Sequence, residues 1–349
     1  MHKIYIADRH IGRGSPCFII AEAGINHNGD INLAKDLIDA AKDLGADAIK
    51  FQTFKAEQIA IPSCPMAGYQ KKMSPDESQY EMLKRLELSD SQFIELFNYC
   101  RKKKIMFLST PFDHQSAKFL YKLGIIAFKI SSSDLNNIPF LMQVASYKKP
   151  VILSTGMSTL LEVKEAVEAI FSTGNKKLIL LHCTSNYPTR FQDVNLRAML
   201  TLEKKFNLAV GYSDHTIGFE VSIAAAAMGA CVIEKHFTLN RRLAGPDQAA
   251  SLEPDELKKM VGCIRNIEKS LGTGVKKPRK SEEAIKRVIR KSVVAVGDIP
   301  EGATINQDML AIKRPGRGIE AKYLARIIGK RTKVNIKKDQ ILLWREVLR

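Results

Sequence analysis

Two apolar stretches that each end in a histidine, Gly211-Tyr-Ser-Asp-His215 and Cys231-Val-Ile-Glu-Lys-His236, are the most informative part of this sequence. The residues between them, 216–230, are small and have helical character. Two parallel strands joined by a crossover helix would bring both histidines to the same end of one sheet. Imidazoles presented together are candidate metal ligands, although a buried, hydrogen-bonded histidine is the commoner outcome for either one alone.

Short apolar, β-branched segments of the same kind recur along the chain, and most are separated by segments with helical spacing, such as 32–44 and 160–170. Working outward from the two histidine strands gives eight predicted strands: 18–24, 48–54, 105–110, 127–131, 151–156, 178–183, 208–215 and 231–236. Eight alternating units over about 250 residues favour an α/β fold, the (β/α)₈ TIM barrel. An open doubly wound sheet is the alternative, but the turn at 23–29 lacks the GxGxxG pattern that such sheets usually carry.

The chain changes character after the predicted barrel, which spans residues 1–270. Residues 271–284 are rich in Gly, Lys and Pro and are predicted to form a linker. Residues 285–349 contain short β segments, at 292–296 and 311–314, separated by Gly and Pro turn signals. This pattern predicts a separate, small β-rich domain.

Composition limits the partners and the location of the protein. The 349 residues carry a net charge of +17, but much of the excess lies in the last quarter without interleaved aromatic residues, so we expect no nucleic-acid binding. A Lys-rich solvated surface explains the charge most simply, and attraction of anionic substrates is the second explanation. No run approaches the roughly 18 apolar residues of a membrane span, so no membrane partner is expected. The six cysteines lack CxxC or disulfide-framework spacing, which favours a cytoplasmic location.

The chemistry of a barrel of this kind occurs at the C-terminal ends of its strands. Period two places Lys50 and Gln52 on one face, and Glu234 and His236 on one face. Lys129 and Ser132 are three residues apart, so both face inward only if the strand bulges or ends between them. Any one lysine can point outward to water, and any one hydroxyl can bond nearby backbone. Together, the strand ends predict a site for a metal and an anion, with the residues Glu22, Asn26, Lys50, Gln52, Thr110, Phe112, Lys129, Ser132, Asp134, Ser154, Tyr187, His215, Glu234 and His236.

Several motifs in order resemble the sialic acid synthase family, whose members condense phosphoenolpyruvate with an N-acetylated mannosamine-type sugar to give a nine-carbon sialic acid. The C-terminal KRPGRG (313–318) is similar to the antifreeze-like (SAF) domain of that family. The resemblance covers nearly the whole chain and rests on AEAGINHNG (21–29), KFQTF (50–54), STPF (109–112), ILSTGM (152–157), LHCTSNYPT (181–189), GYSDH (211–215), EKHFT (234–238) and GPDQAASLEP (245–254).

The resemblance implies a divalent metal, Mn²⁺ or Mg²⁺, held by His215 and His236, with substrate oxygens and water completing its shell. It also implies roles for the other residues. Phosphoenolpyruvate would be held by Lys50, Lys129, Thr110, Ser132 and Ser154, and the sugar would be surrounded by Gln52, Phe112, Tyr187, Asp134 and Asp247. Asn26 and Ser185 are further expected substrate contacts, and Glu22 and Glu234 would stabilise the cationic centre or orient the attacking water.

The family resemblance further implies a homodimer in which the SAF domain of one chain caps the barrel of the other. Arg314 would then reach the sugar site of the partner. The Gly/Lys/Pro linker is compatible with such an exchange.

The acceptor sugar stays open at this point. The leading hypothesis is N-acetylmannosamine, which gives N-acetylneuraminate. The alternatives are 2,4-diacetamido-2,4,6-trideoxymannose, which gives N,N'-diacetyllegionaminate and suits the GPDQAASLEP segment, or a phosphorylated sugar. Ser133-Asp134 and Ser185 depart from the residues of some bacterial members. A carbohydrate-binding module is the non-enzymatic alternative, but it does not explain the charged strand ends.

Overall fold

The computed structural model describes residues 4–66 and 78–348. The chain folds into two compact units, Met1–Gly272 and Thr273–Arg349. Each unit has a hydrophobic core of its own. All six cysteines are free. No helix in the described ranges is long and apolar enough to cross a membrane.

The first unit is built on an eight-stranded parallel sheet whose strands follow the order β5-β4-β3-β10-β9-β8-β7-β6. The two end strands, β5 and β6, lie side by side, so the sheet curls into a nearly closed barrel. The predicted (β/α)₈ barrel is therefore confirmed, and every predicted strand is observed to within two residues at each end. The strands are β3 (Phe18–Gly24), β4 (Ala48–Thr53), β5 (Met106–Pro111), β6 (Phe128–Ile130), β7 (Val151–Ser154), β8 (Leu178–Cys183), β9 (Ala209–Asp214) and β10 (Val232–His236).

A short antiparallel hairpin, β1 (Ile4–Ile6) and β2 (Arg9–Ile11), precedes the barrel. Its isoleucines pack against the first residues of the barrel strands, including Phe18 and Val232, in a buried cluster. The hairpin therefore closes the N-terminal end of the barrel with apolar side chains. The sequence pattern did not predict it, because strands of three residues are too short to show periodicity.

Helices surround the sheet and bury one apolar face each against the outer side of the strands. Several begin at a capping box; Thr159, for example, accepts a hydrogen bond from the Glu162 amide while the Glu162 side chain accepts one from the Thr159 amide. The helices are α1 (Ile31–Asp43), α2 (Ala56–Ile59), α3 (Gln79–Leu86), α4 (Asp90–Lys103), α5 (His114–Leu123), α6 (Ile138–Ser146), α7 (Leu160–Ser172), α8 (Ala198–Phe206), α9 (Glu220–Ala227) and α10 (Pro254–Leu271).

The second unit contains the antiparallel pair β11 (Ser292–Ala295) and β12 (Leu310–Lys313), which agrees with the β segments predicted there. Isolated bridges extend the pairing, and a small core forms around Val293, Ile299 and Ile336. Two short helices, α11 (Glu283–Ile289) and α12 (Leu324–Ile327), belong to the same unit. The start of α11 falls within the segment predicted as a linker.

Candidate functional site

Four charged side chains, one from each of four barrel strands, meet inside the barrel at its C-terminal end. The Lys50 Nζ lies 2.7 Å from Glu22 Oε2 and 3.5 Å from Glu234 Oε2. The Lys129 Nζ lies 3.4 Å from Glu234 Oε1. Lys50 also donates a hydrogen bond to the Thr110 hydroxyl at 3.0 Å. All are buried, so both lysines face the barrel interior rather than the surrounding solvent.

The two carboxyl groups of this quartet have opposite pKa shifts. Burial raises the pKa of Glu22 to about 7, since the attraction of Lys50 offsets only part of the desolvation. Burial also opposes ionisation of Glu234, but Lys129 and Lys50 outweigh it and lower its pKa to about 2. Burial lowers the pKa of Lys129. In Lys50 burial is outweighed by Glu22 and Glu234, so its pKa is raised. Glu234 is therefore ionised at neutral pH, while Glu22 can hold or release a proton.

Hydroxyl groups lie on the far side of the barrel mouth. Strand β6 ends at Ile130, and Ser132 begins a 3₁₀ turn, so the chain leaves the strand between Lys129 and Ser132. The Ser132 hydroxyl accepts a hydrogen bond from the Gly156 amide at 2.9 Å and lies 3.2 Å from Cys183 Sγ. The Ser154 hydroxyl is buried and has no partner within the ranges described. Such an orphaned group is a candidate for contact with a ligand.

Gly156 makes room for this part of the site. A Cβ built on it would lie 2.3 Å from the Ser185 Oγ, 2.9 Å from the Ser132 Oγ and 3.0 Å from the Cys183 Sγ. These separations are far below ordinary contact distances. Any side chain at position 156 would therefore displace the Ser132 and Ser185 hydroxyls. Gly156 and the hydroxyls of Ser132, Ser154 and Ser185 are called the hydroxyl cradle below.

His215 and His236 lie side by side, with ring centroids 5.6 Å apart and ring planes tilted by 56°. The His215 Nδ1 bonds the Thr184 carbonyl oxygen at 2.7 Å, which leaves its Nε2 free apart from the Ser213 hydroxyl at 3.4 Å. The His236 Nδ1 is buried without a hydrogen-bond partner among the residues described. The Tyr187 ring lies 4.2 Å from the His215 ring and 5.5 Å from the His236 ring.

The histidine pair fits a metal ion chemically. Burial lowers the pKa of His215 to about 4 and also lowers that of His236, so both rings are neutral at pH 7, as ligation requires. An unpaired, buried ring nitrogen is a group that a cation would satisfy. No set of three or more His, Cys, Asp and Glu side chains within residues 4–66 and 78–348 is arranged to hold a metal. Substrate or water oxygens would therefore have to complete the shell.

The remaining predicted residues divide into those near this centre and those apart from it. Gln52 is near, with its Nε2 3.4 Å from Glu22 Oε1, and so is Asp247, whose Oδ2 lies 3.9 Å from His236 Nδ1. Burial raises the pKa of Asp247 to about 6. Phe112 packs against Phe54 in a satellite cluster. Asn26 and Ser185 lie on loops at the barrel mouth, Asp134 bonds Asn137 and Ser133, and Arg314 belongs to the second unit.

Sequence reasoning missed several residues that the structure places in the site. Ser213 donates a hydrogen bond to Glu234 Oε1 at 2.9 Å, and Cys183 lies beside Ser132. Alternation along β9 could have identified Ser213, because it shares the inward face with His215. Neither the cradle at Gly156 nor the position of Cys183 leaves a local signal in the sequence.

Lysines, carboxyl groups and neutral imidazoles at the C-terminal end of a nearly closed parallel barrel define the class: a (β/α)₈-barrel protein with a buried, charged site at the barrel mouth. The chain belongs to the NeuB family, whose model matches residues 37–276, and it carries a SAF domain, matched at residues 290–348. This family comprises sialic, legionaminic and pseudaminic acid synthases.

Individual relatives agree with the family assignment. The chain is 48% identical over 341 residues to an N,N'-diacetyllegionaminic acid synthase of Legionella pneumophila, covering 96% of both chains. It is also 48% identical over 327 residues to an N,N'-diacetyllegionaminic acid synthase of Campylobacter jejuni, covering 93% of this chain and 98% of the relative. A crystal structure of an N-acetylneuraminic acid synthetase from Leptospira borgpetersenii, in complex with citrate, is 38% identical with a TM-score of 0.73, covering 81% of this chain and 95% of that one.

Proposed function

We propose that this protein condenses phosphoenolpyruvate with the open-chain form of an N-acetylated mannosamine-type sugar, giving a nine-carbon sialic-type acid and inorganic phosphate. The observation that carries the proposal is the placement of Lys50 and Lys129, both buried and both within 3.5 Å of Glu234. Two ammonium groups lie there beside one firmly ionised carboxylate, Glu234, and one carboxyl group, Glu22, that is only partly ionised at neutral pH. An anionic ligand would use the surplus positive charge.

The phosphate and carboxylate of phosphoenolpyruvate suit the lysines and the hydroxyl cradle beside them. Lys50 and Lys129 would bind its charge, while Ser132, Ser154 and Thr110 would bind its oxygens. The buried Ser154 hydroxyl, which has no partner among the described residues, supports this assignment. Because the two lysines and two glutamates are buried, their fixed charges act strongly on a reacting group beside them.

In the reaction, C3 of phosphoenolpyruvate attacks the aldehyde carbon of the sugar, and positive charge develops at C2. Water then adds to C2, and phosphate leaves by cleavage of the carbon–oxygen bond. Glu234, ionised beside both lysines, would stabilise positive charge at C2. Glu22, whose pKa is about 7, could hold the proton released by the attacking water.

His215 and His236 would hold a divalent metal, Mn²⁺ or Mg²⁺. Such an ion supplies Lewis-acid polarisation of a carbonyl oxygen when it is bound. Asp247 lies close to His236, and Tyr187 lies beside both imidazole rings. These two side chains would orient the sugar so that its aldehyde group is near the histidines. Gln52 and Phe112 are further proposed sugar contacts.

For the acceptor, we propose 2,4-diacetamido-2,4,6-trideoxymannose, which makes the product N,N'-diacetyllegionaminate. Two relatives named for that product are 48% identical over more than nine-tenths of this chain. The N-acetylneuraminic acid synthetase structure is 38% identical over 81% of it. N-acetylmannosamine is the second candidate, supported by the same barrel site.

Arg314 and the dimer belong to the same proposal. In a homodimer that exchanges SAF domains, Arg314 would reach the sugar site of the partner chain. The match to the SAF domain supports the presence of that cap.

Phosphate release from phosphoenolpyruvate tests the function directly. The protein is incubated with phosphoenolpyruvate, Mn²⁺ and, in separate reactions, the diacetamido sugar, N-acetylmannosamine or N-acetylmannosamine 6-phosphate, each with and without chelator. We expect sugar-dependent release that is fastest with the diacetamido sugar and is lost with chelator. No release with any sugar would refute the enzyme proposal. Faster release with another sugar would refute only the acceptor assignment. Release that survives metal removal would refute the proposed requirement for a divalent metal.

A further inference from the structure

Asn26 connects two loops that lie far apart in the sequence. It follows strand β3, is 1% exposed, and uses both hydrogens of its amide on protein acceptors. Its Nδ2 donates to the Phe237 carbonyl oxygen and to the Ser251 hydroxyl, each at 2.9 Å. These partners lie at the two ends of the segment 237–251, which follows strand β10. One amide group therefore holds both ends of that segment.

Further hydrogen bonds lead from Asn26 to Asp247. The Ser251 hydroxyl, which accepts from Asn26, donates to the Asp247 carbonyl oxygen at 2.7 Å. The Gln248 Nε2 donates to the Asn26 carbonyl oxygen at 3.0 Å, and the Gln248 Oε1 accepts from the Thr238 hydroxyl. Gln248 is fully buried. The chain from the Asp247 carbonyl group to Ser251 is thus tied to the loop after β3.

This arrangement matters because of where Asp247 lies. Its carboxyl group is buried and stands 3.9 Å from the His236 Nδ1. Backbone bonds also join the two ends of the segment: the Leu252 amide donates to the His236 carbonyl oxygen, and the Thr238 amide donates to the Leu252 carbonyl oxygen. Loss of the Asn26 bonds would leave these backbone bonds in place but would loosen residues 247–251, which determine the position of this carboxyl group.

We propose that Asn26 is a positioning residue for the acceptor sugar: its amide nitrogen fixes the loop that carries Asp247, while its buried Oδ1 has no hydrogen-bond partner among the described residues and stays available to a ligand. The proposal rests on the proposed function of the site, and it adds a positioning role to the substrate contact expected from the sequence. Because small displacements of an orienting group are costly in catalysis, the effect falls on the sugar and not on phosphoenolpyruvate. Ser251 has the same positioning role, since its hydroxyl links the Asn26 amide to the Asp247 carbonyl oxygen.

The test compares Asn26→Asp and Ser251→Ala with Asn175→Asp as the matched control. An aspartate at position 26 cannot donate to the Phe237 carbonyl oxygen. Asn175 is also buried and also donates its Nδ2 to two carbonyl oxygens, those of Ala145 and Lys149, but it lies before strand β8 at the opposite end of the barrel. It therefore controls for the loss of a buried amide that donates to two acceptors, which for Asn26 are one carbonyl oxygen and one hydroxyl group.

Wild-type turnover is established first, so a failure of the proposed function is seen before any variant is made. We expect both site variants to raise KM for the sugar at least about tenfold while KM for phosphoenolpyruvate changes less than about twofold. Amide hydrogen exchange in residues 239–251 should accelerate in both. The control should keep both KM values and the exchange of that loop. Equal rises in the two KM values, or faster loop exchange with an unchanged sugar KM, would overturn the proposal.

Discussion

Asp214 and Lys235 form a fully buried ion pair, 3.2 Å apart, directly behind the two histidines of the site. They are cross-strand neighbours on β9 and β10, and each immediately precedes one of those histidines. The Asp214 carboxylate also accepts hydrogen bonds from the Thr216 amide, the Thr216 hydroxyl and the Ser222 hydroxyl. Lys235 donates to the Thr216 carbonyl oxygen at 2.5 Å. The pair thus fixes the turn that follows His215.

Removing one member of this pair should destabilise the protein asymmetrically. Asp214→Asn leaves the Lys235 ammonium with a single carbonyl partner, so we expect a loss of about 3–5 kcal/mol in the free energy of unfolding. Lys235→Met leaves Asp214 with three donors, so we expect a smaller loss of about 1–3 kcal/mol. Urea denaturation measures both. The double variant controls for the unpaired charge and should be more stable than Asp214→Asn alone; the reverse order would contradict this account.

His236→Ala should abolish turnover while leaving the barrel folded, because it removes one of two proposed metal ligands. We expect Mn²⁺ binding, measured by the EPR signal of free Mn²⁺, to weaken at least about tenfold. His182→Gln is the matched control, since His182 is a buried histidine of strand β8 whose Nε2 bonds the Val194 carbonyl oxygen. Near-normal Mn²⁺ affinity in His236→Ala would remove His236 from the ligand set.

Gly156→Ala should damage the hydroxyl cradle selectively. The added methyl group collides with the Ser185 and Ser132 hydroxyls, so KM for phosphoenolpyruvate should rise by at least about tenfold, more than KM for the sugar. Gly262→Ala is the control: Gly262 is exposed within helix α10, a Cβ there meets nothing within 4 Å, and the change should stabilise the helix by up to about 1 kcal/mol. Steady-state kinetics with each substrate varied in turn would show the difference. An unchanged phosphoenolpyruvate KM would exclude this cradle as its binding site.

Mixed dimers test whether Arg314 acts on the partner chain. Arg314→Ala alone should raise KM for the sugar more than KM for phosphoenolpyruvate. When it is mixed and refolded with His236→Ala, a hybrid dimer contains one intact barrel capped by one intact SAF domain. We therefore expect activity at low sugar concentration to exceed that of either variant alone. Activity no greater than the sum of the two separate variants would argue that Arg314 works within its own chain or outside the site.

Acidification should destabilise the protein through its buried histidines. Burial lowers the pKa of His27 to about 4, below its ordinary value of 6.5. Between these values the unfolded chain binds more protons than the folded one, so stability falls as pH drops from 6.5 towards 4. His27→Asn keeps an acceptor for the Gly29 amide, which bonds the His27 Nδ1 at 3.0 Å.

The His27→Asn variant should therefore lose about 2 kcal/mol less stability than the wild type between pH 7 and pH 5. Denaturant unfolding of the metal-free proteins at the two pH values measures the difference. His215 and His236 remain in both proteins and keep part of the slope. Parallel pH profiles would show that His27 is not held neutral by the fold.

The sequence by itself determined the barrel and the identity of most charged groups in its mouth. Strand segments such as 178–183 are visible because apolar, β-branched runs alternate with helical spacing, and this is a local property of the chain. Parallel strands must all end at the same edge, so Lys50, Lys129 and Glu234 could be placed together without coordinates. The motif order then identified the family.

Only the tertiary structure decided which charged groups pair with each other and which protonation state each carboxyl group has. Lys50 pairs with Glu22, and Glu234 lies between two lysines, so two chemically similar carboxyl groups have pKa values of about 7 and about 2. The role of Asn26 depends on partners more than 200 residues away. Burial and partners from distant segments are created by folding, and no local pattern encodes them. For the same reason the sequence motif around His236 could not show that Lys235 faces away from the site. Its contacts with Asp214 and the Thr216 carbonyl oxygen hold the turn after His215 in place.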